Sequence, residues 1–351
     1  MTFALLALTL LAGQAANAPA PESELQTAIQ LTSSGHFQQA IPHFLAARGH
    51  VTETFVLLEF NLALCYVGTR QYRLAIEVLT PLAASRDNAE IENLLAQAYI
   101  GERQPEKGMA ALRRGAAMNP NNEKLYVFVS DLCLDQNYSE LGEEAVNMGL
   151  ARLPASPRLL YQRALFESKL DEIERAHRDF QSARAISPDS DLGYIAGVED
   201  LLLAGNVTEA IQLGREGVRK GHEHYMLLAE LGEALLRGGA VPGQPEFGEA
   251  QSMLEKAVSE RPNYSSAQVA IGKVYLLEGR IMEAITHLES GRDLEPFNPG
   301  AYPSLASAYR RAGELEKARA ALAALQRLNE QQALRISSAS GGHAGVAGSP
   351  R

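Results

Sequence analysis

Residues 270–296 read AIGKVYLLEGRIMEAITHLESGRDLEP, and residues 304–329 read SLASAYRRAGELEKARAALAALQRLN. Apolar residues recur at spacings of three and four on both sides of a glycine, Gly279 in the first stretch and Gly313 in the second. That period belongs to an amphipathic helix, and the glycine is the punctuation between two helices. The stretches are also in register: Gly279 and Gly313, Ala284 and Ala318, and Leu288 and Leu322 each lie 34 residues apart.

Working outward, the same period runs back through the chain. Proline stands at Pro120, Pro154 and Pro188, His222 takes the next place, and Pro262 and Pro296 resume the step. Proline cannot continue a helix and restricts the residue before it, so each marks the end of a unit. Small residues keep phase at Ala40, Ala75, Gly108, Gly142, Ala176, Ala210, Ala250, Ala284 and Ala318. A second small series runs through Ala28, Ala63, Ala96, Ser130, Ala164, Val198, Gly232, Gly272 and Ala306, broken only by Val198. Two helices approach closely where neither carries a bulky side chain, and a large residue one turn later fills the space alongside. That large residue is Phe44, Leu79, Leu112, Val146, Phe180, Leu254, Leu288 or Leu322; Gly214 breaks the series. The turn position holds Gly35, Gly205, Gly279 and Gly313, with Asn137 and Asp171 elsewhere, residues that tolerate turn conformations. The pattern predicts an all-α chain of about nine helix pairs.

This pattern resembles the tetratricopeptide repeat over residues 21–335. Tyr66, Tyr99, Tyr275 and Tyr309 occupy that family's first-helix aromatic position, while Cys133 and Glu167 hold it in more divergent units. The resemblance implies a right-handed α-α superhelix whose first helices line a concave surface where peptides or partner segments dock. Mapping the family's inner-face positions onto this chain selects Asn93 and Gln97 in the third unit and Gln162 and Lys169 in the fifth. In the last two units it selects Lys273, Arg310 and Arg311. Amides hydrogen-bond an extended peptide backbone, and cations pair with a carboxylate. The clustered lysines, asparagines and arginine of the chaperone-binding members are missing, since Phe60, Leu64, Val127 and Asp131 stand in their places.

Three irregularities interrupt the array. Residues 238–248 (GGAVPGQPEFG) add six residues between the helices of the seventh unit and read as a projecting loop. Pro81 falls inside a second helix, where it removes a backbone hydrogen bond and is expected to kink the helix. Residues 336–351 lack periodicity and read as a flexible tail.

Charge and composition narrow the function. The 351 residues carry a net charge of −10, with 46% hydrophobic residues and no tryptophan. An acidic chain with no basic block lacks the phosphate-neutralising footprint of a nucleic-acid binder. Two cysteines exclude a disulfide scaffold and a cysteine-rich zinc module. No nucleophile elbow, phosphate-cradling glycine loop or metal-protease spacing occurs, so the reading is no enzyme, no cofactor and no metal. Residues 1–18 read as a signal peptide. An apolar run from Thr2 to Ala12 is too short to span a bilayer, and small residues follow at Gly13, Ala15, Ala16 and Ala18. The expectation is an exported or periplasmic protein with no stable membrane span after signal removal; a cytoplasmic or N-terminally anchored chain is the alternative. Function is read as a scaffold for a protein or peptide partner, or else as the docking subunit of a separately encoded enzyme or secretion system.

Overall fold

The computed structural model describes residues 20–52 and 54–343, so the signal-peptide reading lies outside the described residues. Among those residues all regular structure is helical, with no strand. The chain divides into two compact units, Met1–Pro120 and Asn121–Arg351. Unit one holds α1 (Pro21–Ser33), α2 (Phe37–Ala47), α3 (Phe55–Gly68), α4 (Tyr72–Ser85), α5 (Ala89–Gly101) and α6 (Pro105–Met118). Unit two opens with α7 (Glu123–Asp135), α8 (Ser139–Leu150), α9 (Pro157–Lys169), α10 (Ile173–Ile186), α11 (Asp191–Leu203) and α12 (Val207–Arg219). It continues through α13 (Tyr225–Arg237), α14 (Pro245–Glu260), α15 (Ser265–Glu278), α16 (Ile281–Leu294), α17 (Tyr302–Arg311) and α18 (Leu315–His343). Odd and even helices pair as hairpins, and within each unit every even helix also packs on the odd helix that follows.

The phased residues do what their spacing predicts. Ala28, Ala40, Ala63 and Ala75 are fully buried in unit one, and Ala164, Ala176, Ala210, Ala250 and Ala284 in unit two. Glycines at these positions have no room for more. A methyl group on Gly232 would lie 2.5 Å from Leu254, and one on Gly272 would lie 2.6 Å from Leu288. Phe44, Leu79, Leu254 and Leu288 fill the adjoining space with no exposure, each contributing roughly 1.5–3 kcal/mol. At Gly214 the missing bulk is supplied from across the interface, where Leu231 of α13 sits 3.1 Å from where a methyl group would be.

Punctuation is local. Pro120, Pro154, Pro188, Pro262 and Pro296 all fall between an even helix and the next odd one. Asn88, Ser156 and Ser190 cap α5, α9 and α11 by accepting from backbone N–H groups of the first turn. Eight of the nine hairpin turns contain one residue with positive φ, namely Gly35, Arg70, Arg103, Asn137, Asp171, Gly205, Gly279 and Gly313, and the longer α13–α14 turn contains two, Gly239 and Gly243, all at 59° to 93°. Arg70 and Arg103 adopt this conformation without any turn signal in their own side chains.

Three expectations change. The helix expected to end before residue 336 continues to His343, because neither Ser337, Ala339 nor Ser340 is a helix breaker and the first glycine pair comes only at Gly341 and Gly342. Residues 238–248 project only in part: 241–246 are exposed, but the loop is anchored at both ends. Ala240 and Phe247 are buried, and Pro245 starts α14 at its first turn, so part of the insertion lengthens that helix to 16 residues. Leu322 is 47% exposed, since among the described residues no odd helix packs on the far side of α18. Pro81 lies inside α4, which runs from Tyr72 to Ser85, and without an N–H it cannot donate to the carbonyl four residues earlier.

Candidate functional site

Consecutive odd helices touch one another: α1 with α3 and α3 with α5 in unit one, and the five odd-helix neighbours from α7 to α17 in unit two. They therefore form a continuous face in each unit. Small residues such as Ala96, Ala164 and Gly272 turn into the hairpin. The next residue along the helix then stands on the shared odd-helix face.

In unit one this face is apolar with amides set in it. Leu57 is exposed, Phe60 and Leu64 are half-buried, and Asn93 and Gln97 lie one turn apart on α5. Asn93 is buried and its Oδ1 has no hydrogen-bond partner. Gln97 is half-buried.

In unit two the remaining five candidates do not gather into one cluster. Gln162 is buried between α7 and α9, where it accepts from Ser130 Oγ at 2.5 Å and donates to Asp131 Oδ1 at 2.5 Å. It ties one hairpin to the next. Lys169 is exposed in the last turn of α9, a favourable place for a cation at the negative end of the helix dipole. Lys273 is ion-paired with Glu233 of α13 at 2.9 and 3.0 Å. Arg310 and Arg311 end α17, and Arg311 donates to the carbonyl of Leu276 on α15. Lys273 and Arg311 are thus already engaged with the chain itself.

The same register carries residues of opposite charge that a search for cations passes over. Asp131 and Glu233 follow the small residue of their helix, Glu199 follows Val198 at the same position, and Glu230 lies one turn before Glu233. Tyr161 donates to Glu199 Oε1 at 2.6 Å. Burial pushes Glu199 up to about 7. Burial, then the neighbouring carboxylates of Glu199 and Glu233, hold Glu230 well above the usual carboxylate range. Burial also raises Asp131 to about 6, and raises Tyr161 and Tyr264, both of which feel Glu199 and Glu230. Reading off the residue after each small position would have revealed this row.

A three-carboxylate group also exists. Glu143, Glu167 and Glu172 bring one oxygen each within 4.8 Å of the others. Arg175 occupies their common space, 2.7 Å from Glu143, 2.9 Å from Glu167 and paired with Glu172. A guanidinium supplies the positive charge that a metal ion would bring. Both cysteines are buried and free, and burial pushes the Cys133 thiol up to about 12, which keeps it protonated and unreactive. No helix among the described residues is long and apolar enough to cross a membrane.

Residues 269–333, which span α16, α17 and parts of their neighbours, match the family model for the tetratricopeptide repeat. These residues belong to the tetratricopeptide repeat family, and the hairpins before them repeat the same helix-pair arrangement. Among solved structures the chain is similar to the human IFIT1 dimer with PPP-AAAA, at 16% identity and a TM-score of 0.51, covering 88% of this chain and 72% of that one. It also aligns with a tetratricopeptide repeat protein from Parabacteroides merdae at 13% identity, covering 82% of this chain and 98% of that one, with a TM-score of 0.48. A chain of the APC/C hetero-tetramer Cut9–Hcn1 aligns at 13% identity and a TM-score of 0.48 over 81% of this chain, which spans only 55% of that longer one. At these identities the likeness is one of fold. No curated protein matches the sequence.

Proposed function

We propose that this chain is a non-enzymatic scaffold that holds a protein or peptide segment along its odd-helix face, within an exported or periplasmic assembly. The observation that carries the reading is the division of labour in the repeat. Small residues of the odd helices are consumed by hairpin packing, while the positions beside them stay at the surface with polar or apolar side chains that vary from unit to unit. A stack of invariant hairpins with a varied face is suited to recognising an extended segment. Asn93, with its unpartnered buried Oδ1, and Gln97 offer amide contacts to a peptide backbone. The reading places Lys169 and Arg310 at the rim of the face, where they meet acidic groups of a partner. Export rests on the apolar run from Thr2 to Ala12 and the small residues after it.

Co-purification from a periplasmic extract tests the scaffold. Leu165→Arg with Ser307→Arg alters the odd-helix face, and Ser182→Arg with Gln251→Arg makes the same charge change on even helices. The first pair is expected to remove partners that the second retains. An unchanged partner profile for the first pair overturns the reading. For export, N-terminal sequencing of the mature protein is expected to start near Ala16 or Pro19; a retained Met1 contradicts it.

A further inference from the structure

We infer that the odd-helix face of α9, α11, α13 and α15 docks a lysine- or arginine-bearing polypeptide segment. The inference rests on the scaffold reading above and adds the chemistry of the partner.

Several carboxylates on the odd-helix face of unit two lack a cationic partner. Asp131, Glu199 and Glu230 form no ion pair among the described residues. Asp131 is hydrogen-bonded to the neutral Gln162 and Glu199 to the neutral Tyr161. Asp131 feels the Arg158 cation, but the cations near Glu230 are committed elsewhere: Lys273 to Glu233, and Arg237 to the Leu202 carbonyl at 3.0 Å. Like charges on neighbouring helices repel, and the repulsion grows in partly desolvated surroundings. A face in this state lacks a cation.

The pair between Lys273 and Glu233 shows how the face receives one. Here an ammonium from α15 reaches across to α13 and takes both carboxylate oxygens. A partner's lysine or arginine entering beside Glu230 and Glu199 meets the same chemistry one step along. Tyrosines border that place. Tyr161 flanks Glu199, while Tyr264 stands edge-on to Tyr225 with ring centroids 5.1 Å apart. Arg261 already lies over the Tyr225 ring at 5.8 Å, so the rim accepts a cation on an aromatic face as well. An acidic partner meets repulsion here, which favours cationic segments over the carboxylate-terminated peptides that a cation-lined groove selects.

Fluorescence anisotropy on the full chain with three labelled peptides tests this: alanine alternating with lysine, with glutamine or with glutamate. The lysine peptide is expected to bind at least about tenfold more tightly than the glutamine peptide near physiological salt. Glu199→Gln with Glu230→Gln is expected to remove that advantage. Glu174→Gln with Glu209→Gln, an equal loss of charge on exposed even helices, leaves affinity within about twofold. The Glu199 and Glu230 changes relieve repulsion, so their melting temperature is expected to be no lower than that of the parent chain, which separates lost binding from lost folding. Equal affinity for lysine and glutamine peptides, equal loss from the two double variants, or no binding of the lysine peptide overturns the inference. Tight binding of the glutamine or glutamate peptide that depends on Leu165 and Ser307 overturns the cationic partner but keeps the scaffold. Loss of dependence on Leu165 and Ser307 in the co-purification fails the scaffold itself.

Discussion

The last two hairpins of unit two, α15–α18, and its first hairpins, α7–α10, share one period but are held by different chemistry. In the last two, the first-helix aromatic position carries Tyr275 and Tyr309. Arg280 stacks 3.9 Å from the Tyr275 ring, and Tyr309 donates to Glu289 at 2.6 Å. In the earlier pair the same position holds Cys133 and Glu167, both buried. Glu167 is served by Arg175 at 2.9 Å and lies 3.7 Å from Arg163, which is itself bound to Asp179 and Asn147. The repeat therefore requires that this space be filled; it does not require an aromatic ring, and Glu167 Oε2 is left without a hydrogen-bond partner. Where ion pairs do the filling, titratable groups are carried into the interior, and burial raises Glu167 to about 7.

The strongest break of this comparison is Phe166→Ala. Phe166 is fully buried, and its ring lies against Gly142, where a methyl group would collide with it. The ring thus supplies in α7–α10 the bulk that Tyr275 and Tyr309 supply at the other end. Its removal is expected to cost about 3–5 kcal/mol, read as a lower urea midpoint with hydrogen exchange accelerating first in α8, α9 and α10. Uniform acceleration along unit two counts against independent hairpin anchors. Next in size, Gly142→Ala is expected to cost about 1–3 kcal/mol, and more than Gly272→Ala. The neighbour at Gly142 is a rigid ring, whereas at Gly272 it is the flexible Leu288 side chain. Equal midpoints for the two variants contradict that ordering.

Acid separates the two regions further. Glu199, Glu167 and Glu230 have folded-state pKa values above the ordinary 4.5. Between the unfolded and folded values the folded chain binds more protons, so stability falls as pH rises through about 4.5 to 7 and is regained on acidification. Glu230→Gln removes one of these charges. It is expected to raise the melting temperature by about 2–4 °C at pH 8 and by less near pH 5, because the raised pKa favours the uncharged carboxyl in the folded chain. An equal gain at both values of pH assigns the effect to packing.

How much of this was legible follows from what each residue can signal. The nine hairpins and their cores are written in steps of 34 because small side chains are required where helices cross, and a missing Cβ or a proline leaves a visible mark. The odd-helix face is harder to read. Gln162 has the right register for a ligand contact, but the neighbouring Ser130 and Asp131 absorb its amide, and only three-dimensional proximity shows it. Glu199 and Glu230 were in the same register, yet adjacent carboxylates on a helix ordinarily signal a solvated surface. The end of α18 was hidden for another reason: Ser337, Ala339 and Ser340 carry no apolar period, but a helix can continue without one.

The smallest effect lies in the turns, where the two regions also differ. The α17–α18 turn places Gly313 at φ 80°, while the α9–α10 turn holds Asp171 at φ 64°. Left-handed backbone crowds the Cβ of an L-residue, and aspartate tolerates it better than most without matching glycine. Asp171→Gly therefore relieves strain in the folded turn but adds freedom to the unfolded chain, and the balance is expected to be a gain of about 0.5 kcal/mol or less. Gly313→Ala crowds the left-handed turn by more than the lost freedom of the unfolded chain offsets and is expected to cost about 1 kcal/mol. Both are read by urea midpoints against the parent chain. The side chain of Asp171 is exposed, so a clear loss on Asp171→Gly means that the turn is held by aspartate for a reason other than backbone conformation.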